Sequence, residues 1–184
     1  MNNLTKHDNV GKMDVKSKTI ETSVIVKIAL LGATAALLML FEIPLFFAPS
    51  FYKLDFSEVA VLVGAFSLGP VAGIVIEAVK ILLNFLIDGS VTAGIGELAN
   101  FIIGCSYIVP AAAIYKRNKT RRNAIAGLAA GTVTMVIAAA LMNLYVLLPV
   151  YASAFRMPVD AIVQMGTKVN SSIKDIYTLI LFAT

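Results

Sequence analysis

Three side chains able to carry charge or hydrogen bonds lie inside one apolar run. Glu77, Lys80 and Asn84 stand three and four residues apart between Pro70 and Asp88, so on a helix they share a face. Ionisable groups at bilayer depth are costly, and each marks a site unless a partner neutralises it. Glu77 and Lys80 therefore read either as an internal ion pair that makes the helix insertable or as the polar wall of a cavity. Glu97 and Asn100 repeat the spacing in Gly94-Ile95-Gly96-Glu97-Leu98-Ala99-Asn100-Phe101. Glu97 suits a first-turn position beside a helix N-terminus. Asn100 lies a turn deeper, where an amide needs a partner, so the two are expected to face a ligand. Asn143 lies among apolar neighbours in Leu141-Met142-Asn143-Leu144-Tyr145. Its amide offers one acceptor and two donors. It suits either the edge of a planar polar heterocycle or an interhelical hydrogen bond of about 1 kcal/mol.

Other chemistry is absent from the sequence. There is no Gly-rich phosphate loop and no nucleophile motif. The single histidine, His7, lies in a polar tail, and Cys105 is the only cysteine, so neither a disulfide framework nor a thiol metal cluster can form. We expect no enzymatic activity, no metal and no cofactor. Transport against a gradient would need an ion or another subunit as its energy source.

The elements that position these residues follow from composition. The chain of 184 residues is 59% hydrophobic and 14% charged, with a mean hydropathy of +0.86. Soluble domains carry about 25% charged residues. An all-α polytopic membrane bundle is the expected fold, because each span needs about 20 mostly apolar residues. Five hydrophobic segments are readable. The first is Val24 to Phe41, after a cytosolic tail over residues 1–23; residues 24–184 then form the membrane-embedded bundle. The second region, Val59 to Ile87, is broken at Gly69-Pro70, so a short helix ends near Leu68 and a third begins at Pro70. Ile95 to Tyr115 and Ala124 to Leu148 supply the fourth and fifth, with Pro149 closing the fifth. Val150 to Thr184 is mixed and amphipathic and ends in an apolar run, Ile176 to Ala183.

The second helix, at roughly 15–18 Å, is too short to cross about 30 Å of hydrocarbon. The preceding Glu42 to Phe56 segment must then enter protein-lined space. It is aromatic and proline-stiffened, and it reads as an interfacial belt or as a lid over a flat ligand. Ten of the 15 Lys and Arg fall between Lys6 and Lys27 or between Lys116 and Arg122. Counting crossings puts both clusters on the cytoplasmic side, as the positive-inside rule requires, and argues against a nucleic-acid partner. On the first helix Ala29 and Ala33, four apart, permit close approach by another helix.

Five short segments in order resemble a known family: Lys53-Leu54-Asp55-Phe56-Ser57-Glu58-Val59, Leu68-Gly69-Pro70-Val71-Ala72-Gly73, Gly96-Glu97-Leu98-Ala99-Asn100-Phe101, Ile114-Tyr115-Lys116 and Asn143-Leu144-Tyr145-Val146-Leu147-Leu148-Pro149. They are similar to the riboflavin-specific substrate-binding subunits, or S components, of energy-coupling-factor (ECF) vitamin transporters. The resemblance implies a six-helix bundle in the cell membrane that binds riboflavin from outside and docks on a transmembrane coupling subunit driven by two cytosolic ATPases. It implies ligand contacts at Leu54, Asp55, Glu97, Asn100 and Asn143, a gate loop containing Phe46, Phe47, Phe51 and Tyr52, and coupling-subunit contact at Ala29 and Ala33. The family's sixth helix opens on Pro-Phe-Asn followed by a lysine. This sequence stops at Ala183-Thr184, about where that segment would start, so the sixth helix is expected to be missing or truncated. The alternatives are an S component for another vitamin such as thiamine, or a self-sufficient ion-coupled carrier using Glu77 and Lys80.

Overall fold

The structure, a computed structural model, describes residues 21–44, 53–90, 93–154, 156, 158–169 and 172–183. Among them α1 is Thr22–Met39, α2 Ser57–Leu68, α3 Pro70–Asp88, α4 Ile95–Arg117, α5 Arg121–Met142, α6 Leu148–Ala154, α7 Val159–Val169 and α8 Ile176–Ala183. Two-residue strands β1 (Ile43–Pro44) and β2 (Lys53–Leu54) pair antiparallel with Ile43 opposite Leu54. They are the one departure from an all-helical chain among the described residues. Four helical stretches are long and apolar enough to cross a membrane: Thr22–Met39, Pro70–Asp88, Ile95–Arg117 and Arg121–Val150; Ser57–Leu68 is a shorter apolar helix. The chain is a multi-pass helical membrane protein, and its five apolar segments are those read from the sequence. Large apolar side chains face outward, Leu30, Val71 and Leu86 among them at 64–73% exposure, as lipid contact requires.

The break between α2 and α3 has a local cause. Gly69 takes φ of +105°, a conformation open to glycine, and Pro70 occupies the first position of α3, where its missing N–H costs nothing. α5 starts at Thr120, whose hydroxyl accepts a hydrogen bond from the Asn123 amide at 3.3 Å.

Pro149 does not close the fifth segment. A π-helical turn, Asn143–Leu147, joins α5 to α6, and the helix runs on to Ala154. The Leu148 amide donates to the Asn143 carbonyl, five residues back. This wider turn alters the hydrogen-bond ladder just where a proline ring would otherwise meet a carbonyl four residues earlier. α4 likewise continues through Pro110.

Small residues set the helix crossings. A Cβ at Gly127 of α5 would lie 2.6 Å from the Ala111 carbonyl oxygen of α4, and one at Gly32 of α1 2.6 Å from a Val79 methyl of α3. Gly73 similarly admits Ala65 and Ile108. The Thr134 hydroxyl adds a 2.6 Å bond to the Ser106 carbonyl across the α4–α5 seam. Without a hydrophobic force between helices in lipid, such close approach is the main source of association. One apolar core links α1 to α4 through Ala35, Ala60, Val61, Ile76 and Ile108. A second, around Leu148, Ile162, Ile173 and Leu179, joins α6, α7 and α8.

Candidate functional site

α2 starts in mid-bundle. Glu58, at its first turn, meets Lys80 in the middle of α3: Lys80 Nζ donates to Glu58 Oε1 at 2.6 Å and lies 2.8 Å from Glu77 Oε1. From Lys80 to Asp88, α3 continues for about 12 Å at 1.5 Å per residue. α2 offers no backbone at that level. The fold therefore leaves a well at the end of the bundle opposite the Lys116–Arg122 loop. Its floor is the start of α2, and the Lys80–Asp88 stretch of α3 stands beside it.

Glu77 and Lys80 are 0% and 1% exposed. The ion-pair reading of these two holds, but the network has a third member, Glu58. Asn84, one turn farther along α3, is also buried and lines the same face above the cluster. Gly104 of α4 covers the two carboxylates so closely that a Cβ there would collide with the Glu77 carboxylate and lie 3.2 Å from Glu58 Oε1.

The expected ligand residues fall into three groups. Asn143 is 4% exposed and opens the π turn, which α4 packs against. Asn100 is half-buried on α4, one turn below Glu97. Glu97 has a structural engagement: its Oε2 accepts a hydrogen bond from the Ser90 hydroxyl at 2.8 Å, and that hydroxyl oxygen accepts from the Gly94 amide at 2.8 Å. It thus ties down the α3–α4 loop. Asp55 caps α2, with Oδ1 accepting from the Ser57 amide at 2.7 Å. Leu54 ends β2 with its side chain 51% exposed. The gate residues Phe46, Phe47, Phe51 and Tyr52 lie outside the described residues. Ala29 and Ala33 are exposed and border the buried face of α1 formed by Gly32, Ala35 and Ala36.

The sequence reading missed Glu58 and Ser90. Glu58 carried a signal, since a carboxylate within an apolar helix needs a cation. Ser90 carried none, because a loop serine is ordinary.

A model of the ECF transporter substrate-specific component matches residues 23–184. The chain belongs to that family. It is 38% identical over 133 residues to the riboflavin transporter RibU of Staphylococcus aureus strain TCH60, covering 72% of this chain and 69% of the relative. It is 33% identical over 135 residues to the riboflavin transporter FmnP of Bacillus subtilis strain 168, covering 73% and 71%. A solved structure of the S component of a bacterial ECF transporter superimposes with a TM-score of 0.66 at 34% identity, over 89% of this chain and 95% of that one.

Proposed function

We propose that the chain captures riboflavin in the well above Glu58 and delivers it through a transmembrane coupling subunit powered by two cytosolic ATPases. The observation that carries this reading is the pair of relatives named as riboflavin transporters, 38% and 33% identical over about seven-tenths of each chain. The buried amides Asn84 and Asn143 fit it: a heterocycle with alternating donors and acceptors is best met by groups that both donate and accept. Asn100 completes the polar side of the pocket. Glu97 and Asp55 act by holding the α3–α4 loop and the α2 start in place, and Leu54 contributes apolar surface. Phe46, Phe47, Phe51 and Tyr52 close over the ligand. The exposed Ala29–Ala33 face of α1 is the docking stripe for the coupling subunit.

The N-terminus is cytoplasmic in this reading, with Lys116–Arg122 on the same side, and the well opens outside. The protein performs no covalent chemistry. The test is to purify the full chain and read its visible absorption. A yellow protein whose flavin band is removed by denaturation is expected. A colourless protein that binds thiamine, or vesicles that accumulate substrate on an ion gradient without any ATPase partner, would overturn the proposal.

A further inference from the structure

The cluster at the floor of the well holds more negative charge than positive. Two carboxylates, Glu58 and Glu77, share one ammonium, Lys80. Among the described residues no second cation is paired with either. Besides Glu77 Oε1, which faces Lys80 at 2.8 Å, three oxygens there are buried without a hydrogen-bond partner: Glu77 Oε2, Glu58 Oε2 and the Ser57 hydroxyl. Glu77 is fully buried, so bulk solvent does not reach its second oxygen. Among the described side chains the neighbouring elements supply no other cation. Asp55 precedes α2, α4 presents Gly104 and the Cys105 thiol, and α1 meets α3 through Gly32 while its Lys27 is exposed. An uncompensated charge in a low-dielectric interior is retained only if something neutralises it.

We propose that the Glu58–Lys80–Glu77 cluster is a binding site for one further cation, a proton or a small monovalent ion, held by the free carboxylate oxygens beneath the well. The close cover of Gly104 over the Glu77 carboxylate leaves little room, which favours the proton, since a proton needs no coordination shell. The site joins α2, α3 and α4 at the start of α2, next to Asp55. The inference stands on charge and burial and is independent of which ligand fills the well.

The test uses the full chain in lipid nanodiscs. Infrared spectra at neutral pH are compared for the parent, Glu77→Gln and Glu58→Gln, the second variant serving if the first does not fold. The expected result is a protonated-carboxyl C=O band in the parent that either substitution removes. In parallel, the unfolding midpoint is followed as sodium replaces a bulky organic cation. A rise in the parent that is lost in Glu77→Gln would make sodium the occupant. A parent spectrum without a band that either variant removes, together with a midpoint indifferent to sodium, would overturn the site.

Discussion

Replacing Lys80 by Met removes the one cation from a buried three-member network while keeping most of the side-chain volume. At an effective dielectric constant of about 20, unit charges 2.6 or 2.8 Å apart attract by about 6 kcal/mol, and with the second carboxylate neutralised by the proposed cation the gross loss is about that much. Against this stands the desolvation of the ammonium, several kcal/mol, which the variant no longer incurs. Removing one partner of a buried pair costs about 3–5 kcal/mol net. The 27% exposure of the Glu58 side chain puts the expectation near the lower figure. The sharper test is the combined variant Glu58→Leu, Glu77→Leu, Lys80→Met. A wholly apolar replacement of a buried ion network is often neutral or stabilising, so this variant should recover most of the loss, even though it carries three changes. The assay is reversible unfolding in mixed micelles by titration with a denaturing detergent, followed by helical circular dichroism. Lys80→Met indistinguishable from the parent, or the triple variant no better than Lys80→Met, would refute the reasoning.

Asn143→Ala should weaken flavin binding more than tenfold, or about 1.4 kcal/mol, as measured by fluorescence quenching; an unchanged dissociation constant would remove Asn143 from the pocket. Gly127→Ala, which sets a Cβ against the Ala111 carbonyl, should cost about 1–3 kcal/mol in the same unfolding assay, whereas Ala126→Ser on the exposed side should stay within about 0.5 kcal/mol. Ser90→Ala should free Glu97 and raise hydrogen exchange at the Gly94 amide, with that at Leu98 little changed because its partner is the Gly94 carbonyl. Asp175 holds its carboxyl below the ordinary value of 3.8 through hydrogen bonds from the Thr178 backbone and side chain. Its capping of α8 is therefore complete above that value and lost as pH falls through the lowered one. Amide exchange in α8 should accelerate below about pH 3.8, and Asp175→Ala should abolish the pH dependence.

Much of the frame was legible because its signals are local. Gly69-Pro70 specifies a break by backbone conformation alone, and both flanking helices end where those two residues require. Glu77, Lys80 and Asn84 share a face by spacing, and they are buried together. Glu58 was not legible as their partner because the contact spans 22 residues, and Glu77 with Lys80 already looked neutral. Pro149 misled because a proline's effect depends on the hydrogen-bond ladder around it, which one wider turn resets. Glu97 reads as a ligand group by depth, and the hydrogen bond that Ser90 makes to its Oε2 is a loop contact that no spacing announces. The candidate site divides in the same way. Asn143 was marked by an amide among apolar side chains, whereas the working positions of Asp55 and Glu97 depend on loop geometry that no periodicity encodes.

The π turn at Asn143–Leu147 also acts as a counting device. Each residue in an α-helix advances the surface by about 100°, so a residue inserted into an unbroken helix would turn everything beyond it by that angle. The wider turn absorbs the extra residue instead: the Leu148 amide still reaches the Asn143 carbonyl, and Leu148 stays in the α7–α8 cluster at 0% exposure. Deleting one residue between Asn143 and Leu147 would return the stretch to an unbroken α-helix with that same bond made four residues back. A one-residue deletion should therefore be better tolerated here than within α5, where it would swing Leu148 off its partners.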